Sequence, residues 1–240
     1  MPNLTLTVLS LRYSSWSMRP WLALTHAGAD FKTHTVELPG MGSANTPSLA
    51  ERRKLGSVRG LFPVLHVDGQ PIHESLAICE YVADAFPEAK LWPADTLMRA
   101  EARAICCEML TGFGDLRREL SCHLFGRVPT LEPGTEARGD IARVFEIWRD
   151  KLAESGGPFL FGGFSIADAM YYPVLTRFRT YRVNLPAELS AYAEALEGRP
   201  AVQALVEHAR LAPRIPHYDE NLRRLGGDPD ATLRAHGLGT

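Results

Sequence analysis

The chain has 240 residues, enough for two small domains that each bury a core, and its 45% apolar and 22% charged residues are the balance of a globular protein. A formal net charge of −2 marks neither a nucleic-acid nor an anionic-membrane partner, and runs such as Arg52-Arg53-Lys54 and Arg117-Arg118 read as solvated helix faces. Cys79, Cys106, Cys107 and Cys122 lie in apolar helical patterns without disulfide density or zinc spacing, and the eight histidines are scattered, so the expectation is free thiols and no metal in a reducing, cytoplasmic compartment. Met1-Pro2-Asn3 opens without a basic or apolar leader, and no apolar run reaches membrane-spanning length, so neither a signal peptide nor a membrane span is expected.

Residues 4–10 read as a buried strand. It feeds a hydroxyl-rich turn, Tyr13-Ser14-Ser15-Trp16-Ser17, and then Met18, Trp21, Leu22 and Leu24 at helical spacing. The unpaired N–H groups and macrodipole of a helix start favour an anion, so this turn is a candidate anion site. With Ser17 as N-cap, Pro20 sits in the first turn, where its missing N–H costs nothing, so a regular helix is expected from about Ser17 to Ala27-Gly28.

Residues 31–38 read as a second strand, 39–47 as a loop, 48–55 as a short polar helix and 56–60 again as loop. Phe62 to Val67 and Gln70 to His73 flank Asp68-Gly69, a strong hairpin signal. Glu74-Ser75 then opens a helical pattern (Leu76, Ile78, Cys79, Tyr81, Val82, Phe86) that stops at Pro87.

Residues 87–95, with two prolines and no periodicity, read as a linker, and beyond them strand signals vanish. One long helix is expected over 97–125, with Met109, Phe113, Leu116 and Leu120 on one face. Another is expected over 136–154, with Ile141, Val144, Phe145 and Trp148 as its stripe. Ser165-Ile166-Ala167-Asp168 is an N-capping signature before a helix reaching about Tyr181, with a kink expected at Pro173. Further helices are expected at 187–197 and 201–211, and 226–240 has little to pack and is expected to be mobile. The organisation is a small α/β unit at 1–86, a linker at 87–95, an all-helical unit at 96–225 and a tail at 226–240.

Four features resemble the cytosolic glutathione transferase superfamily over nearly the whole chain. The Ser14-Ser15-Trp16-Ser17 turn stands where thioredoxin relatives hold Cys-x-x-Cys and where serine-type transferases hold their catalytic serine. Phe62-Pro63 resembles the family's residue plus cis-proline, Glu74-Ser75 its acidic-serine pair, and Ser165 to Asp168 its C-terminal capping box. The turn is similar to the zeta-class Ser-Ser-Cys-x-Trp-Arg, with Trp16 in place of the cysteine, and more so to bacterial relatives with Ser-Ser-Trp-Ser. The resemblance implies an α+β thioredoxin-like N-terminal domain, an all-α C-terminal domain, glutathione as co-substrate and a homodimer. The family's lysine or arginine two residues before the cis-proline is replaced by Leu61, with Arg59 nearby.

A glutathione thiol is a weak nucleophile until ionised, and a hydroxyl donating to the sulfur beside helix N-terminal amides favours the thiolate. By its match to the first Cys-x-x-Cys position, Ser14 is the expected donor, with Ser15, Ser17 and Tyr13 as alternates. On the motif alone, capping is the commoner task of serines at a helix start. The resemblance further implies glutathione contacts at Trp16, at the Phe62 backbone beside Pro63, and at Glu74 and Ser75, which meet the γ-glutamyl amino and carboxylate groups. An electrophile site is expected between the domains, with Cys106, Met109, Phe113, Tyr171 and Tyr172 as candidates; core packing explains each at least as well. Asp168 reads as a structural cap.

Other chemistries fail on spacing. Gly-Phe-Ser-Ile-Ala around Ser165 lacks the second glycine of a hydrolase elbow, phosphate loops and dinucleotide fingerprints are missing, and serines replace both thiols of a dithiol site. The expected activity is glutathione transfer to a hydrophobic electrophile in detoxification. The alternatives are a zeta-like cis-trans isomerase of the maleylacetoacetate type, a glutathione peroxidase and a non-catalytic protein-interaction module.

Overall fold

The computed structural model describes residues 2–36, 48–54 and 56–235. The alternating apolar and β-branched segment β1 (Leu4–Val8) is a central strand, buried at all positions but Thr5. β2 (Phe31–Thr35) pairs parallel to it and β3 (Val64–Val67) antiparallel, while β4 (Gln70–His73) pairs antiparallel with β3, in the order β2-β1-β3-β4. Asp68 and Gly69 both take positive φ (48° and 86°), the conformation a two-residue hairpin turn requires. The expected strand 31–38 is seen as far as Thr35; its last two positions and the expected loop 39–47 fall outside the described residues.

Helices α1 (Ser15–His26), α2 (Leu49–Lys54) and α3 (Ser75–Ala85) complete the first unit. The second contains α4 (Thr96–Thr111), α5 (Gly114–Glu119), α6 (Thr135–Ser155), α7 (Ile166–Thr180), α8 (Ser190–Glu197), α9 (Pro200–Arg210), α10 (Pro216–Arg224) and α11 (Ala231–Ala235). This is a mixed sheet with helices followed by a helical bundle, the α+β plus all-α architecture expected. Among the described residues no helix is long and apolar enough to cross a membrane, and no group of three or more His, Cys, Asp or Glu could hold a metal.

α1 is the hinge of the packing. Every residue from Ser17 to Leu24 is buried, because the helix lies against α3 on one side and α7 and α9 on the other. A helix buried all round must be largely apolar, which Met18, Trp21, Leu22, Ala23 and Leu24 supply, with Ser17 and Arg19 as buried polar exceptions. One continuous apolar cluster therefore runs from Leu6, Leu22 and Ile78 through α1 into Ile105, Trp148 and Phe178. Trp148 is fully buried and meets Tyr171, Phe178 and Tyr192 edge-on at 6.2, 5.7 and 5.2 Å.

Three expectations are corrected. α1 starts at Ser15 rather than near Ser17, with Ser14 as N-cap and Pro20 inside the helix; one backbone hydrogen bond is forfeited, and burial of the whole helix outweighs it. The helix expected over 97–125 breaks at Gly112-Phe113-Gly114, where Phe113 is left-handed (φ 56°), and residues 120–134 are irregular. The segment after Gly226 is packed through Leu233: Arg127 and Asp228 exchange backbone hydrogen bonds at 2.9 and 2.8 Å, Thr232 donates to the Phe125 carbonyl, and Leu233 is buried. The sequence shows little apolar surface there because these contacts are mostly polar.

Candidate active site

β1 ends at Val8, and residues 9–14 turn the chain directly into α1. The Ser14 oxygen caps the helix, accepting from the Ser17 backbone N–H at 3.3 Å, and its hydroxyl donates to Ser17 Oγ at 2.9 Å. Ser17 is fully buried and its oxygen also accepts from the Leu9 N–H at 3.2 Å. Ser15 is buried and accepts from Arg177 Nη2 at 3.3 Å. Ser14 alone of the three serines is partly exposed.

Tyr13, the remaining alternate, is buried and committed elsewhere. Its hydroxyl donates to Asp219 Oδ1 at 2.8 Å, and burial followed by the Asp219 hydrogen bond and charge pushes the phenol up to about 12.

Two cavities meet at this turn. The first, about 480 Å³, is lined by Trp16, Arg59, Leu61, Phe62, Pro63, His73, Glu74 and Ser75. The second, about 410 Å³, lies between the two units and takes in Tyr13, Ser14, Ser15, Arg52, Arg117, Ser121, Cys122, Arg177, Ile215 and Tyr218. Trp16, Leu61 and Phe62 border both.

The first cavity collects every glutathione contact implied by the sequence except Ser14. The Phe62-Pro63 peptide is cis. Glu74 holds a positive φ of 69°, costly for a residue with a side chain and the kind of strain that persists at ligand clamps. Its carboxylate pairs with Arg59 at 2.8 Å instead of capping α3. Ser75 Oγ is buried with no hydrogen-bond partner, and so is His73 Nε2. An orphaned buried hydroxyl is uncommon, and at the start of α3 it faces the helix dipole, so Ser75 fits a ligand carboxylate.

The turn also stands in a positive field. Arg19 is fully buried, stacks over the Trp16 ring at 4.5 Å, and leaves Nε and Nη1 without partners. Burial, then the charges of Arg177 and Arg117, lower its guanidinium to about 9. Arg177 is buried, with its donors on the Leu120 and Pro173 carbonyls and Ser15, and Arg117 donates to the Met109 carbonyl. None of the three makes an ion pair with a carboxylate among the described residues. Three cations with the N-terminus of α1 favour a thiolate over a thiol at this turn.

The candidate electrophile residues are placed elsewhere. Cys106, Met109, Phe113 and Tyr171 are buried in the core, with the Tyr171 hydroxyl on the Ile105 carbonyl, and none lines the inter-unit cavity. Tyr172 borders a separate cavity of about 170 Å³ with Arg127. The α4 face that carries Cys106 and Met109 packs against α7 within the core. Burial pushes the Cys106 thiol well up, which makes it inert. Asp168 is structural: it accepts from the Ser165 N–H and hydroxyl and from the Leu160 N–H, and burial pushes its carboxyl up to about 6.

Sequence reasoning missed Arg52, Arg117, Arg177, His73, Tyr218 and Asp219. Arg117 sits in a run that reads as a solvated face, and nothing in the sequence pattern marks Arg177. Only the absence of a nearby acidic partner could have hinted at Arg177.

Comparison with known proteins follows the same two-part division. The family model "Glutathione S-transferase, N-terminal domain" matches residues 13–85, and "Glutathione S-transferase, C-terminal domain" matches 132–208. A probable maleylacetoacetate isomerase of Caenorhabditis elegans is 30% identical over 193 residues, spanning 80% of this chain and 86% of that protein. Probable maleylacetoacetate isomerase 2 of Drosophila melanogaster is 30% identical over 206 residues, 84% of this chain and 86% of that one. A Burkholderia glutathione transferase homolog, crystallised with bound glutathione, superposes with a TM-score of 0.65 at 25% identity over 87% of this chain and 98% of its own.

Proposed function

From the premise that this chain belongs to the glutathione S-transferase family, we propose that it activates glutathione through Ser14 and delivers the thiolate to an electrophile held in the cavity between the sheet unit and the helical unit. The observation that carries this reading is the placement of Ser14 in the wall of the inter-unit cavity, two residues from Trp16, which borders both cavities, and partly exposed at the N-terminus of α1.

In this account Ser75 and the start of α3 receive the γ-glutamyl carboxylate, Glu74 the amino group, and the Phe62 backbone the cysteinyl part. Arg59 lines the same cavity and takes the place of the missing cation before the cis-proline. Trp16, braced by Arg19, separates the peptide from the electrophile. The Ser14 hydroxyl now spends its proton on Ser17, so donation to sulfur requires the rotor to turn. The Ser17 hydroxyl can then donate back across the 2.9 Å contact, while the Ser17 N–H keeps the Ser14 oxygen in place. The thiol proton leaves to solvent, and the thiolate attacks. With an aryl halide, a C–S bond forms, the C–halogen bond breaks and halide departs.

The arginines favour a second reading for the substrate. Arg52, Arg117 and Arg177 line the cavity and, among the described residues, no carboxylate does, so it suits an electrophile that carries negative charge better than a purely hydrophobic one. A cis-dienone acid of the kind named for the isomerase relatives fits: glutathione adds, the bond rotates, and glutathione leaves. We place the enzyme in the cytoplasm as a homodimer, which light scattering tests; a monomer contradicts that assignment.

The deciding experiment compares retention on glutathione-agarose and turnover of chlorodinitrobenzene, chloronitrobenzoate and a cis-dienone acid. Retention with turnover, and preference for the charged substrates, supports the reading. Failure to bind glutathione and to turn over any of them overturns it, and hydroperoxide reduction alone assigns the peroxidase chemistry instead.

A further inference from the structure

Three segments remote in sequence meet among the walls of the inter-unit cavity: the serine turn at 13–16, the irregular stretch at Ser121 and Cys122, and the C-terminal segment at Ile215 and Tyr218. One buried carboxylate touches all three. Asp219 accepts from Tyr13 Oη at 2.8 Å, is bonded to His123 Nε2 at 2.9 Å, and pairs through Oδ2 with Arg214 Nη1 at 3.0 Å. Arg214 continues the chain of charge to Asp230 at 2.6 Å, and Asp230 pairs with Arg12, at the base of the same turn, at 3.1 Å.

Apolar contacts follow the polar ones. The Tyr218 ring stacks on Tyr13 at 5.1 Å with planes 25° apart, and His123 meets Tyr13 edge-on at 4.9 Å. Tyr13 is thus enclosed by the C-terminal segment, one residue away from the proposed thiol donor.

We propose that Asp219 is a positioning residue for the reaction: it clamps the C-terminal segment against Tyr13 and so sets the shape of the electrophile cavity. The inference rests on the reading of that cavity as the electrophile site. The glutathione cavity at 59–75 contains none of these contacts, so loss of the clamp is felt by one substrate and not the other. Tyr13 serves as the anchor of the clamp, which is why its hydroxyl is unavailable to sulfur. Because three donors converge on two oxygens, an amide at this position cannot accept from all of them, and His123, Tyr13 or Arg214 must let go.

The test is steady-state kinetics on the full chain with glutathione and chlorodinitrobenzene, comparing wild type with Asp219→Asn, Asp219→Glu and Tyr13→Phe. The expected result for Asp219→Asn is a rise of about tenfold in KM for the aryl halide, with KM for glutathione unchanged. Tyr13→Phe, which removes one arm and leaves the carboxylate paired, gives a smaller rise of the same kind and remains informative if the asparagine variant does not fold. Asp219→Glu restores part of the lost affinity. A tyrosine titration by ultraviolet absorbance gives a second readout: one phenol that is silent near pH 10 in wild type ionises lower in Asp219→Asn. Equal changes in both KM values, or no change in either, overturn the inference. An inactive wild type that does not bind glutathione overturns the functional reading instead, so the two failures are distinguishable.

Discussion

The two cavities on either side of Trp16 are built in opposite ways. The side proposed for glutathione comes mainly from one contiguous stretch, residues 59–75, in which a cis-proline, a hairpin and a helix start follow one another. The side proposed for the electrophile is assembled from residues scattered between Leu9 and Tyr218, and its charge is carried by arginines. Local chemistry makes the first; long-range packing makes the second. The lesson is that a site for a common co-substrate can be written into a short motif, whereas a site for a particular substrate depends on how distant helix ends converge.

The largest expected effect tests whether the apolar face of α4 is core. Met109 is 1% exposed, so Met109→Ala should cost about 2–5 kcal/mol in chemical denaturation and leave the preference among electrophiles as it was. A changed preference with unchanged stability would put Met109 back in the site and blur the distinction between core and cavity. Next in size is the charge of the second cavity. Arg177→Met should weaken chloronitrobenzoate by about tenfold or more and chlorodinitrobenzene by much less, read as separate KM values. Equal losses would show that Arg177 only supports the fold.

A contrasting change on the first cavity should be smaller. Ser75→Ala removes an orphaned hydroxyl whose burial already costs energy in the free protein, so stability should hold or rise slightly while KM for glutathione increases about five- to tenfold. KM for the electrophile should not move. A further effect concerns acid. Burial pushes the Asp219 carboxyl up, but the hydrogen bonds from His123, Tyr13 and Arg214 together outweigh it and hold the group down at about 2. Its stabilisation is therefore fully present above the ordinary carboxylate range and is lost as pH falls from about 4 through 2, a contribution of about 2 kcal/mol. Acid unfolding monitored by circular dichroism should show this loss in wild type and not in Asp219→Asn.

The same contrast explains what could be read from residues alone. Strand order, the hairpin at Asp68-Gly69, the helix start at Glu74-Ser75 and the Ser165–Asp168 capping box are local features, and each is present. The break at Phe113 was hidden because its apolar side chain continues the periodic stripe, and only the flanking glycines hint at the left-handed residue. The start of α1 was misplaced because Pro20 carried too much weight against the burial that tolerates it. α10 was missed and the end of the chain misjudged because Asp219, Arg214, Asp230 and Arg12 hold it by charge, a pattern without periodicity. The arginines of the second cavity look like any surface arginines until the fold brings them to one cavity and buries Arg177.

The central claim is that Ser14, in the inter-unit cavity beside Trp16, stabilises the thiolate. The most direct measurement is the pKa of glutathione's thiol when bound, followed by thiolate absorbance against pH in wild type and in Ser14→Ala. The account predicts a bound thiol well below its ordinary value of about 8.5 in wild type and a rise of about one to two units in the variant, as expected for one hydrogen bond to a charged group. Equal thiol pKa values in the two proteins would contradict it and leave Ser14 as a helix cap.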